Sequence, residues 1–152
     1  MISIKVSSNF SMSELIRTNT GLINAPDVQS LINMCHLSLM ILQPLRFYLG
    51  YAVNINSCFR TKAVNKAVGG SKTSQHLLGQ AVDFDCEEMV VAFHYILNNL
   101  MFDQLIWEKG TVSCPAWIHV SYNPWGKNRK QVLFTRNGSS KYYNTLQECY
   151  GK

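Results

Sequence analysis

One carboxylate constrains this chain more than any other residue. Gln80–Asp85 alternates as a strand does, with Val82 and Phe84 on one face and Ala81, Asp83 and Asp85 on the other. Asp83 therefore sits in an otherwise apolar strand, and a carboxylate taken out of water needs a partner. The residues before it, Ser74-Gln-His76-Leu-Leu-Gly79, bring an imidazole close in sequence. On one helix His76 and Asp83 would lie two turns apart, too far to share an ion. A turn at Gly79 running into a strand brings them together, and small Ala81 leaves room beside them.

A second imidazole comes from Trp117-Ile-His119-Val-Ser121. With Ile118 and Val120 facing the core, His119 and Ser121 share the opposite face. A strand paired beside that of Asp83 aims His119 into the same cleft. Two imidazoles and one carboxylate, with a coordination position left open, are the donor set that suits zinc best.

The rest of the chain reads as one domain. Its 152 residues are enough to bury a core without staples. The composition, 47% hydrophobic and 15% charged with four prolines and nine glycines, excludes a fibrous or low-complexity protein. Ser11-Met-Ser-Glu14 fits a capping box opening a short helix to Arg17. Asn24-Ala-Pro-Asp27 starts a longer helix that runs to Leu49 and stops at Gly50, with Pro44 bending or breaking it. Strands are predicted at Tyr51–Asn56, Gln104–Glu108, Trp117–Tyr122 and Gln131–Thr135, and helices at Thr61–Val68 and Glu87–Leu100. In the last of these Val90, Val91, Tyr95 and Ile96 are the predicted inward residues. The order implies an α+β fold with a mostly antiparallel sheet packed with helices.

The apolar stretch around Leu37–Leu42 is interrupted by Asn33, His36 and Gln43, so no membrane insertion is expected. The first twenty residues show no secretory pattern. The chain is expected to remain in the producing cell, or to reach a cell wall by release or within a virion. The five cysteines read as reduced thiols, mostly core fillers, and His36 and His94 as structural. A net charge of +5 suits an anionic partner. The basic, tyrosine-containing stretch after Lys127 matches no nucleic-acid-reading motif and is predicted to be a solvated edge, so no specific nucleic acid is expected. A monomer is expected.

The motif Ser74-x-His76-x-x-Gly79-x-Ala81-x-Asp83, followed by Trp117-x-His119, resembles the zinc D-Ala-D-Ala carboxypeptidase family. That group includes the vancomycin-resistance D,D-peptidases, phage L-alanyl-D-glutamate endolysins and the hedgehog signalling domain. Leu42–Arg46, Ser57–Arg60, Asn65–Ser71, Phe102–Glu108 and Trp117–Tyr122 extend the likeness to a branch common in bacteriophages, over roughly Phe10 to Leu133. The resemblance implies zinc held by His76, Asp83 and His119, with Arg60 stabilising an oxyanion. It implies hydrolysis of an amide in bacterial peptidoglycan stem peptides, of the D-Ala-D-Ala carboxypeptidase or L-Ala-D-Glu endopeptidase type, as in a phage lysis enzyme. Ser74 and Gln75 flank the first ligand and, with Trp117 and Tyr122, are expected to contact substrate.

The sequence departs from the family pattern at one position. Many relatives carry an acid three residues before the last histidine, where this chain has Ala116. Either Glu108, on the same strand face as Gln104 and Ile106, serves as general base, or the chain keeps the metal and binds wall peptide or a protein without cleaving, or Ala116 is an introduced substitution.

Overall fold

The computed structural model describes residues 4–151. Among them five strands form one sheet in the order β1-β2-β4-β3-β5: β1 Val53–Ser57, β2 Ala81–Cys86, β3 Gln104–Glu108, β4 Trp117–Ser121 and β5 Gln131–Phe134. The β1–β2, β2–β4 and β3–β4 pairings are antiparallel, and β5 joins β3 in parallel. The α+β expectation holds, with a mixed sheet packed against helices.

The helices are α1 Met12–Leu15, α2 Val28–Leu37, α3 Gln43–Leu49, α4 Lys62–Ala67, α5 Met89–Asn99 and α6 Leu146–Tyr150. The capping box at Ser11 and Glu14 is formed, and Asp27 caps α2 by accepting from the Ser30 N–H at 2.7 Å. Pro44 does not break the long helix. One wide turn, Ser38–Leu42, joins α2 to α3, and the Gln43 N–H reaches back five residues to the Ser38 carbonyl. This wider turn accommodates a proline that has no N–H to donate and whose ring crowds the carbonyl four residues earlier. The helix ends at Gly50, in the left-handed conformation with φ 75°. Val28–Leu49 is long and apolar enough to cross a bilayer by length and composition, but half of it is buried inside this fold.

One face of the sheet carries the core. Val82, Phe84, Leu105, Trp107, Ile118 and Val120 pack there against Met34, Leu37, Ile41, Leu42 and Leu45 of the long helix. Met89, Ala92, Phe93 and Ile96 of α5 complete this layer. The predicted inward set of α5 is thereby corrected at Val91, which is 39% exposed. The buried four follow the i, i+3, i+4, i+7 spacing of one helical face, and Val91 lies off it. The opposite face of the sheet carries the polar residues of the strands and is left open for a site.

The turn before β2 is fixed from both sides. Gly79 has φ 67°, and a Cβ there would lie 2.7 Å from the Ser30 carbonyl oxygen of α2. The Asn33 side chain donates to the Leu78 carbonyl at 2.8 Å, tying the same turn to α2. Gly79→Ala is expected to cost about 2–4 kcal/mol, from left-handed strain plus overpacking. Urea unfolding checks this, and a loss below 1 kcal/mol would show that the turn is not so constrained.

Candidate metal centre

Strand register builds the centre. Asp83 on β2 lies directly opposite His119 on β4, so both side chains leave the sheet on its open face. His76 arrives from a single tight helical turn, Gln75–Leu78, that Ser74 opens by accepting the His76 backbone N–H at 3.3 Å and Gly79 closes. Potential ligand atoms of His76, Asp83 and His119 lie within 4.8 Å of one another. His119 Nδ1 is 2.8 Å from Asp83 Oδ1, and His76 Nε2 is 3.2 Å from Asp83 Oδ2.

The orientation of His76 is set by the backbone. Its Nδ1 lies 2.6 Å from the Cys58 carbonyl oxygen, which can only accept, so Nδ1 carries the proton. In the neutral ring Nε2 then presents a lone pair toward Asp83 Oδ2. Two acceptors facing each other at this distance suit a metal cation, or a proton, between them. Burial lowers the His76 pKa, which keeps that lone pair available. Burial alone would raise the Asp83 pKa, but at the low pH where the carboxyl titrates the two histidines are charged, and they outweigh burial and hold it well below its usual range. A neutral, backbone-oriented imidazole, a second imidazole and an ionised carboxylate fit a zinc ion.

Arg60 closes the other side of Asp83. Its Nη2 donates to Asp83 Oδ2 at 2.7 Å and its Nε to Ser57 Oγ at 2.8 Å. The loop that carries it is held by buried Asn24, whose side chain donates to the Phe59 carbonyl at 2.8 Å and accepts the Thr61 N–H at 2.8 Å. The Arg60 N–H also donates to the His76 carbonyl at 3.0 Å, which ties the two loops together.

These residues line a cleft of about 730 Å³. Glu108 lies on its wall, 9% exposed, and accepts a hydrogen bond from Thr135 Oγ1 at 2.9 Å. Burial raises the Glu108 pKa, opposed by the Thr135 hydrogen bond. Ala116 is exposed and lies outside the cleft lining. It precedes β4 by one residue, and its N–H pairs with the Glu108 carbonyl at 2.9 Å.

Ser74, Gln75 and Trp117 also line the cleft. Gln75 donates to Asp103 Oδ2 at 2.9 Å. Tyr122 does not share the cleft and packs against the hydrophobic core. Strand alternation explains this correction: Trp117, His119 and Ser121 face the site, whereas Ile118, Val120 and the residue after Ser121 take the other side. The stretch after Lys127 is also not merely a solvated edge. Leu133, Thr135, Ser140 and Tyr142 form part of the cleft wall. Tyr150 Oη secures that wall with its one hydroxyl proton shared between the Lys109 carbonyl at 2.8 Å and the Thr135 carbonyl at 3.0 Å. Tyr142, Thr135 and Arg129 are among the cleft residues that the sequence did not single out. Only the mixture of bases and tyrosines in that stretch hinted at them.

Comparison with known families gives a match to the peptidase M15 family model over residues 8–121. The search of curated proteins gives no significant match. The matched region holds Arg60, His76, Asp83, Glu108 and His119, while Arg129, Thr135 and Tyr142 follow it. The match spans most of the chain and includes the whole His-Asp-His cluster, so the chain belongs to the peptidase M15 family of zinc D-Ala-D-Ala carboxypeptidase-like metallopeptidases.

Proposed function

We propose that this protein is a zinc metallopeptidase that hydrolyses an amide bond in the stem peptides of bacterial peptidoglycan, of D-Ala-D-Ala carboxypeptidase or L-Ala-D-Glu endopeptidase type. The observation that carries this reading is the placement of His76, Asp83 and His119 together in a cleft that also holds a buried carboxylate, Glu108, and a fixed guanidinium, Arg60. The three ligand residues would hold zinc, which when bound polarises a carbonyl and lowers the pKa of water.

The chain's own groups supply the rest. Glu108 takes the proton of the attacking water and returns one to the departing amine. Arg60, anchored through Nη2 and Nε, leaves its Nη1 edge to stabilise negative charge on the carbonyl oxygen. Trp117 offers an aromatic face to the peptide. A role in lysis or wall turnover, with the enzyme reaching the wall after release, follows from the same substrate.

Digestion of purified peptidoglycan by zinc-loaded protein, read by mass spectrometry, tests the reading. The expected result is a new fragment whose mass names the bond, absent after chelation and with His76→Ala. No fragment from several wall types, with one zinc bound per chain, would overturn hydrolysis in favour of a binding protein.

A further inference from the structure

Among the described residues three cations line the cleft, Arg60, Lys109 and Arg129. Arg60 is tied to Asp83 and Ser57. Lys109 Nζ donates to the Ser139 carbonyl at 2.5 Å and the Arg136 carbonyl at 3.4 Å, so it closes its own loop. Arg129 is built differently. Its Nε donates to Asp103 Oδ1 at 2.9 Å and its Nη2 to Asp103 Oδ2 at 2.6 Å, a two-pronged pairing along one edge. The Arg129 backbone N–H adds a bond to Oδ1 at 3.0 Å, and Gln75 Nε2 adds one to Oδ2 at 2.9 Å.

Four donors thus saturate Asp103, whose side chain is 5% exposed, while that of Arg129 is 53% exposed. The buried acid fixes the guanidinium plane. Among the described residues the Nη1 edge and the second Nη2 hydrogen have no partner, and Arg129 lines the cleft. A pre-positioned fork of this kind loses little freedom on binding, and its geometry matches a carboxylate.

We propose that Arg129, buttressed by Asp103, receives a free carboxylate of the stem peptide and so makes the enzyme select acid over amidated peptides. This rests on the peptidase reading above. It fits both bond types considered, because the residue that supplies the departing amine carries a free carboxylate on the adjacent carbon in each: the terminal D-Ala in one, the γ-linked D-Glu in the other.

The test uses L-Ala-γ-D-Glu-L-Lys-D-Ala-D-Ala as the free acid, as its C-terminal amide, and with the D-Glu α-carboxylate amidated. Binding is measured by calorimetry on zinc-loaded Glu108→Gln protein, so that the peptide survives the titration, and turnover on zinc-loaded wild type. One of the two amidated peptides is expected to bind about tenfold to a hundredfold more weakly than the free acid. Adding Arg129→Met should lower free-acid binding to that level and leave the discriminated amide within about twofold. Arg129→Lys should restore part of the preference, since it keeps charge without the fork.

Equal binding of all three peptides overturns the assignment. So does an equal loss for all three in Arg129→Met with a lowered unfolding midpoint, which marks a purely structural pin. Discrimination in binding by the Glu108→Gln protein, with a wild type that cuts nothing, overturns the peptidase reading and keeps the Arg129 assignment. Wild type that cuts all three equally well does the reverse.

Discussion

Glu108→Gln is expected to lower kcat by about 10²–10⁴-fold while the protein still binds one zinc per chain. The substitution is nearly isosteric, and the Thr135 hydroxyl that donates to Glu108 Oε2 finds an acceptor again in the glutamine carbonyl. What disappears is the capacity to take a proton. Hydrolysis rates at saturating peptide, with metal content measured on the same samples, check this. Wild-type turnover in the variant would remove Glu108 from the mechanism, and loss of zinc would show that its effect is structural.

The ionisation of Glu108 gives a second readout of the same role. A general base works as the carboxylate, so activity falls as the pH drops through its pKa. Burial, the larger influence, raises that pKa, and the Thr135 hydrogen bond lowers it. Removing the hydroxyl should therefore raise it further, so Thr135→Val moves the acid limb of kcat/KM to higher pH, and Thr135→Ser leaves it in place. Thr135 Oγ1 also accepts the Lys109 N–H at 3.0 Å, so the valine variant should lose about 1–3 kcal/mol of stability. A limb that stays put or moves down in Thr135→Val would mean that another group titrates.

What the sequence revealed depended on how local each signal was. Alternation in β2 and β4 was enough to place Asp83 and His119 on one face, because a strand has only two faces and apolar neighbours claim one. The same rule, carried one residue further, puts Tyr122 on the core side, and the expectation that it walls the cleft neglected this. In α5 the apolar residues are so many that composition alone hides the phase. Met89, Ala92, Phe93 and Ile96 are selected by the sheet below them. Pro44 is a clear local signal whose outcome is non-local: packing of both flanking segments keeps the helix continuous and moves the irregularity into one wide turn. Tyr142, Thr135 and Arg129 reach the cleft only because β5 returns in parallel beside β3, a pairing that no spacing within the segment foretells. The partner that orients His76, the Cys58 carbonyl, is a backbone atom and leaves no mark in side-chain pattern.

Asp83→Ala is expected to abolish zinc binding at micromolar metal and to destabilise the metal-free protein. Loss of an outer-shell partner alone commonly costs about 10–100-fold in metal affinity, and a direct carboxylate ligand contributes more. The stability effect has a separate origin. Asp83 and Arg60 are 14% and 15% exposed at the side chain, and Arg60 Nη2 donates to Asp83 at 2.7 Å. Truncating the acid leaves a nearly buried guanidinium without its counter-charge, at a cost of up to about 3–5 kcal/mol. Asp83→Asn separates the two effects, because it keeps the shape and one acceptor for Arg60 but removes the charge that zinc requires. Its unfolding midpoint in urea should lie between wild type and Asp83→Ala, while its zinc affinity, from competition with a chromophoric chelator, should fall nearly as far as that of the alanine variant. An asparagine variant that binds zinc as tightly as wild type would show that Asp83 serves Arg60 and not the metal. The His76 and His119 rings would then have to find their third partner elsewhere in the cleft.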